Sequence, residues 1–315
     1  MMRNTLNARL QCLPCLGFRF PVYVFALTSL GLLLLSFSST SLLRKASARI
    51  IEPAAGETAL ICVVSSDGDA TMNLDAVVLV RNGNLVTPYV EDNEAAQQKF
   101  ASEYFQAGRK YRLTFGGGEA GTATVQKSDK GCNNIHATVA VETTAKISGQ
   151  VKGLATNSNS LGKRTSARRA PTTGERAAVM DLVKKVYTQQ GVAASQYRSL
   201  KVTNLTATDL DGDGEYEMIG SFALALKTKA QRDLFLIARP QGAAMRAEFT
   251  KFQAYQPPPE GFLSSIDFVD QFDLDGDGTG EVFAVQGGFD AYGYVIFKKT
   301  RGRWRHVYSA MGDAC

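Results

Sequence analysis

The chain has 315 residues, 44% of them apolar, with 35 basic and 30 acidic side chains, which is enough for one to three domains and at least one sizeable core. A formal net charge of +5 that gathers in short segments does not describe a nucleic-acid binder. The two histidines, His136 and His306, lie far apart and the five cysteines lack metal-ligand spacing, so a zinc hydrolase or a Cys/His nucleophile pair is missing its parts.

Residues 20–43 form a charge-free apolar run of 24 residues, long enough to cross a bilayer. Arg3, Arg9 and Arg19 precede it; Arg44, Lys45 and Arg49 follow. The run reads as a transmembrane signal-anchor with residues 1–19 as a cytoplasmic n-region. A signal peptide cleaved near Ala46-Ser47-Ala48 and a buried helix are the alternatives. Both flanks are positive, so orientation rests on the downstream composition. That composition places the later domains outside, giving a single-pass cell-membrane protein whose C-terminal domains are periplasmic or at the surface. Cys12 and Cys15 form a CxxC without the βαβ context of a redox motif.

Residues 50–145 read as a small β-domain. Leu60–Val64 and Ala76–Val80 are apolar strand runs, and Asn82-Gly83 is a hairpin signal. Residues 94–106 hold apolar groups at helical spacing, and Lys110–Phe115 alternates as a half-buried strand does. Gly116-Gly117-Gly118 lacks the Lys-Ser/Thr pair of a phosphate loop and reads instead as a hairpin turn with a bulge. Cys62 and Cys132 are the expected disulfide in an oxidising compartment, the alternative being two free thiols. Residues 146–172 are rich in basic, Ser, Thr and Gly residues and read as a linker, or as a strip touching an anionic membrane surface. No aromatic residues interleave with its charges, which argues against nucleic acid. Thr172 and Glu175 then fit a capping box, and Val179, Leu182, Val183 and Val186 a packing stripe, for a helix over 173–190.

Two segments carry the chemistry. Asp209-Leu-Asp-Gly-Asp-Gly-Glu-Tyr-Glu217 and Asp273-Leu-Asp-Gly-Asp-Gly-Thr-Gly-Glu281 place acids at positions 1, 3, 5 and 9 and glycines at 4 and 6, with an offset of 64 residues; this is an internal repeat. Calcium takes six or more hard oxygens, and alternate carboxylates converge on one ion only if the backbone curls tightly, which glycine permits. An EF-hand needs Glu at position 12, where Gly220 and Ala284 stand, and helical flanks, where strand-like runs follow. A nine-residue loop between strands fits instead, with Glu215 and Thr279 offering backbone carbonyls at position 7 and Glu217 and Glu281 closing the ring.

The DxDGDGxxE loop between two strands resembles the calcium loops of FG-GAP and VCBS repeats, which build integrin-like propeller blades and occur in bacterial surface and periplasmic proteins. The resemblance covers about residues 196–315 and implies two calcium ions, one held by Asp209, Asp211, Asp213 and Glu217 and the other by Asp273, Asp275, Asp277 and Glu281. It departs from the family in lacking a Phe-Gly…Gly-Ala-Pro signature and in having room for two or three blades, fewer than a closed propeller needs. The expected fold is therefore mainly β: a transmembrane helix, a β-domain, one packing helix, and a partial propeller-like or sandwich-like domain over 173–315. The function expected with it is a membrane-anchored, non-enzymatic calcium-binding protein with a structural, adhesion or binding role and an envelope protein or glycan as partner. An envelope hydrolase and a signalling sensor are the alternatives. The acids already fit metal-loop spacing, and no nucleophile–base set accompanies them.

Overall fold

The computed structural model describes residues 58–66, 72–90, 93–144, 151–162, 165–226, 230–255, 265–288 and 291–314. Its first part consists of β1 (Thr58–Ser66), β2 (Met72–Arg81), β3 (Asn84–Val86), α1 (Glu94–Tyr104), β4 (Lys110–Phe115), β5 (Gly118–Lys130), β6 (Ile135–Glu142) and β7 (Val151–Thr156). These strands pair in the order β1-β7-β4-β5-β6-β2-β3, and β1 also pairs with β2, so six of the seven close into a barrel. Closure removes the sheet edges. It also explains why β1 and β2 are apolar almost throughout rather than alternating. Leu60, Cys62, Val64 and Leu74 fill the lumen, while Ala59, Ile61, Val63 and Val78 face outward into a second core. α1 stops one end: Asn93 caps it by accepting from Ala96 N at 3.0 Å, and Phe100, Tyr104 and Phe105 enter the lumen core. The Asn82-Gly83 turn forms with φ of 50° and 72°, as a two-residue hairpin requires.

The second part consists of β8 (Arg168–Arg169), α2 (Thr173–Gln189), a 3-10 turn (Ala194–Ser199), β9 (Leu200–Thr208), β10 (Glu217–Ala225), β11 (Gln231–Gln241), β12 (Ala244–Tyr255), β13 (Ser265–Phe272), β14 (Glu281–Gly287), β15 (Ala291–Thr300) and β16 (Arg303–Ala314). β8 to β12 form one open antiparallel sheet and β13 to β16 another. The layers stack in a fixed order. The β13–β16 sheet lays Val269, Phe272, Phe283 and Ile296 on the outer wall of the barrel. Its other face gives Phe268, Val282, Val295 and Phe297 to a core shared with Ile219, Phe235 and Ile237 of the five-stranded sheet. That sheet in turn packs its far face on Val179, Val183, Val186 and Tyr187 of α2. Phe297 stacks on Phe235 with ring centroids 5.3 Å apart, and each such fully buried ring contributes about 2–3 kcal/mol.

Several expectations are corrected. A closed barrel plus two open sheets replaces the separate small β-domain and partial propeller-like or sandwich-like domain. β7, which lies within the segment read as a basic linker, completes the barrel by pairing with both β1 and β4. Gly153 at its centre runs against the Thr114 carbonyl, where a Cβ would sit at 3.3 Å; small residues suit this crowded place and also give it linker composition. Among the described residues no helix is long and apolar enough to cross a membrane. α1 and α2, with 11 and 17 residues, each bury one face only. The membrane anchor, the cell-membrane localisation and the envelope partner expected with it are corrected on that finding; the run 20–43 itself lies outside the described residues, as do Cys12 and Cys15. Cys62 is a free thiol with no exposed surface, pointing into the lumen core, whereas Cys132 is exposed on the β5–β6 turn and disulfide-bonded. The expected Cys62–Cys132 bridge is not formed: Cys62 is held as a free thiol in the lumen core, while Cys132 lies at the surface of a turn.

Where the two parts meet, Gly116 N lies 2.9 Å from both oxygens of Asp270, a side chain with no exposed surface. Arg168 pairs with Asp270 at 3.4 Å, donates to the Val269 carbonyl at 2.7 Å, and is held between the rings of Phe115 and Phe268 at 4.6 and 4.8 Å. Gly116 has φ of 62°, and a Cβ there would lie 2.8–2.9 Å from Arg168 Cβ and N. Gly116→Ala is expected to lower unfolding free energy by about 2–3 kcal/mol through clash and left-handed backbone strain. Gly174→Ala, in open space near the start of α2, should be neutral or slightly stabilising. Urea denaturation of both variants measures this.

At the start of α2, Glu175 returns to Thr172 N at 2.7 Å and takes two bonds from Arg169, at 2.6 and 2.8 Å. Arg169, with the Thr172 hydrogen bonds, lowers the Glu175 carboxyl to about 2 from an ordinary 4.5. A lowered carboxyl stabilises the fold above its unfolded value and loses that contribution as pH falls through the folded value. Glu175→Gln should therefore cost about 1 kcal/mol at neutral pH, after discounting for the partly exposed pair. The gap between wild type and variant should close between about pH 4.5 and 2 in acid-unfolding curves.

Candidate divalent-cation sites

Each acidic loop joins two paired strands, β9 to β10 and β13 to β14, and the two loops fold alike. Asp209 accepts from Gly212 N at 2.7 Å and Gly214 N at 3.1 Å, and Asp273 accepts from Gly276 N and Gly278 N at 2.7 and 3.2 Å. Asp213 caps Glu215 N at 2.8 Å, as Asp277 caps Thr279 N at 2.7 Å. Glu217 and Glu281 reach back to Leu210 N and Leu274 N at 2.9 and 2.7 Å. The four glycines at positions 4 and 6 have φ between 69° and 94°, so the repeated left-handed turns depend on them. The leucine at position 2 anchors each loop: Leu210 is buried between the two sheets and Leu274 against the barrel. The loops also touch, since Gly280 N donates to the Leu210 carbonyl at 2.7 Å.

This folding brings two sets of acids together. Oxygens of Asp209, Asp211 and Asp213 lie within 4.8 Å of one another, and so do those of Asp273, Asp275 and Glu281. Both sets are geometrically capable of coordinating a divalent cation. Glu217 and Asp277 stand beside their sets rather than in them, and the Glu215 side chain points to solvent, 57% exposed. Six buried side-chain polar atoms lack a hydrogen-bond partner among the described residues, and three of them belong to these loops: Asp211 Oδ1, Glu217 Oε1 and Asp275 Oδ1. Such atoms are costly unless a donor or cation meets them, so the donor set fits a hard cation.

Three basic residues face the loops, and none stands out in the sequence: Arg239, Lys298 and, 3.8 Å from Asp211, Lys299. Arg239, near the end of β11, pairs with Asp213 and lies 3.4 Å from Asp211 and from Glu215. Lys298, at the matching place on β15, reaches Asp275 at 2.5 Å and Glu281 at 2.7 Å. The runs Leu236-Ile-Ala-Arg239 and Val295-Ile-Phe-Lys298 carry the correspondence. It is hidden because the repeats differ in length between the loop and the third strand, so the 64-residue offset that aligns the loops does not align these residues. Burial, with repulsion from Asp211, pushes Glu217 up to about 7, against the pull of Leu210 N and Arg239. Burial likewise pushes Glu281 up to about 7 despite Lys298. Burial disfavours the Lys298 ammonium, but Glu281 and Asp275 outweigh it and hold its proton above the ordinary lysine range.

No family model, curated protein or solved structure matches the chain.

Without added divalent metal, Lys298→Met should strand Asp275 and the buried Glu281 beside each other and lower stability by about 2–3 kcal/mol. Thermal denaturation in chelator checks this; Lys185→Met, exposed on α2, is the expected neutral control.

Proposed function

We propose that the two loops bind calcium, one ion each, and that the ions serve to fix the β9–β10 and β13–β14 turns. The reading rests on one observation: the same nine-residue loop, folded twice with the same hydrogen bonds, leaves buried carboxylate oxygens without donors. Asp209, Asp211 and Asp213, and Asp273, Asp275 and Glu281, are the side-chain ligands of first resort, with Glu217 and Asp277 closing in and the carbonyls of Glu215 and Thr279 at position 7. Calcium suits such flexible all-oxygen sets better than magnesium, which dehydrates reluctantly. The FG-GAP and VCBS calcium loops are the class of site proposed. A second reading has its own support in Arg239 and Lys298, which partly neutralise the acids: the loops would then be ion-paired turns without metal.

Calorimetric titration separates the two. Two calcium ions per chain are expected, with magnesium substituting poorly. At free calcium about 100 times Kd each site adds about 2.7 kcal/mol, so the melting temperature should rise by several degrees and fall back with chelator. Glu281→Gln should remove one site, and Glu215→Ala neither. A stoichiometry of zero and a melting curve indifferent to chelator would leave the ion-paired reading.

A further inference from the structure

The β5–β6 turn of the barrel, residues 131–134, is fastened to the end of β16 by hydrogen bonds between segments far apart in sequence. Asp313 accepts from Asn133 N at 3.1 Å and from Cys132 N at 3.3 Å. Asn133 answers with its side chain: its Oδ1 accepts from Ala314 N at 3.1 Å, and its Nδ2 lies 3.3 Å from Met311 Sδ. From the other side Gln97 of α1 donates to the Asn133 carbonyl at 2.8 Å, which ties the turn to the helix that stops the barrel. Two glycines let the strand come this close. A Cβ on Gly131 would lie 2.5 Å from Asp313 Oδ2, and one on Gly312 would run into the Tyr292 ring.

Within this cluster Cys132 is exposed and disulfide-bonded. Cys62 is a free thiol enclosed in the lumen core, which leaves Cys12, Cys15 and Cys315 as partners, all outside the described residues. Position singles out one of them. Cys315 follows Ala314 by a single peptide bond, about 3.8 Å between Cα atoms, and Ala314 is hydrogen-bonded to the residue after Cys132. A disulfide needs Cα atoms about 4.4–6.8 Å apart, so the cluster brings these two cysteines within reach of a bond.

The consequence is mechanical. β16 is an edge strand that pairs with β15 alone, and its last residues meet the barrel turn through the hydrogen bonds just described. A covalent bond between turn and strand end makes that attachment lasting, and reduction returns it to hydrogen bonds. We propose that Cys132 and Cys315 form a disulfide and that this bond is a redox-sensitive latch fastening the end of β16 to the barrel. When it forms, each thiol loses its proton and the pair passes two electrons to a small-molecule disulfide, which leaves as two thiols.

The test begins with full-length protein equilibrated with glutathione disulfide, blocked with iodoacetamide and digested with trypsin without reduction. Mass spectrometry should find peptide 131–146 joined to peptide 306–315. Hydrogen exchange of the bridged protein is then compared with that of protein reduced by dithiothreitol. Reduction should speed exchange several-fold over 311–314 and leave β10 and β11 unchanged. Cys132→Ser should exchange like reduced wild type in either buffer, whereas Cys62→Ala should keep the redox response. Asp313→Ala removes hydrogen bonds that hold the two segments together, so it should lower the fraction bridged at a fixed glutathione ratio several-fold. The proposal is overturned if 131–146 is joined to a peptide bearing Cys12 or Cys15, if the bridged protein runs as a dimer on a non-reducing gel, or if Cys132 is found alkylated. It is also overturned if reduction leaves exchange over 311–314 as it was.

Discussion

The arrangement depends on one buried charge. Asp270 has no exposed surface, and a carboxylate there is tolerable only with close partners. It finds them in two segments distant in sequence: the Gly116 amide at the barrel's β4–β5 turn and the Arg168 guanidinium on β8. Each partner is itself constrained. Gly116 must be glycine to approach so closely, and Arg168 is flattened between Phe115 and Phe268. The desolvation penalty makes the contact specific, because a slip of any one layer would leave a charge buried and alone. Gln271, next along β13, extends the junction toward the acidic loops by donating to the Thr208 hydroxyl at 2.5 Å and the Asp209 carbonyl at 3.2 Å.

The acidic loops thus hang from a rigid frame. Leu210 and Leu274 are set into separate cores, and the loops are joined through Gly280. Arg239 and Lys298 arrive from the third strand of each repeat, so a carboxylate cluster that would repel itself in a bare loop is compensated by the sheet behind it. Position 7 shows the limit of that compensation. Glu215 adds a fifth acid to the first loop and stays mostly in solvent, whereas the second loop has Thr279 there; both loops bury their closing acids, Glu217 and Glu281.

What was legible in the sequence was local. The loops declare themselves because their ligands fall within nine residues, and the Asn82-Gly83 hairpin and the Thr172/Glu175 cap because turn and cap chemistry is set by neighbours. Barrel closure was not legible, since it rests on pairs such as Ile61 with Thr156, and the strand that provides it is short and small-residued. The disulfide expectation failed for a related reason: Cys62 lies on a strand whose both faces are buried, and nothing in a single apolar run tells lumen from wall.

The order of layers differs from the order of synthesis. The β13–β16 sheet, residues 265–314, packs through both faces, against the barrel on one side and the five-stranded sheet on the other, with β16 largely exposed. It is also the last part of the described chain to leave the ribosome. Until it does, the barrel shows water an outer wall of Ala59, Ile61, Val63 and Val78, and the five-stranded sheet shows Phe235 and Ile237. The nascent chain therefore carries two complementary greasy surfaces whose native spacer does not yet exist. Their premature contact is the misfolding route this architecture has to avoid, and a truncation before β13 would make that exposure permanent.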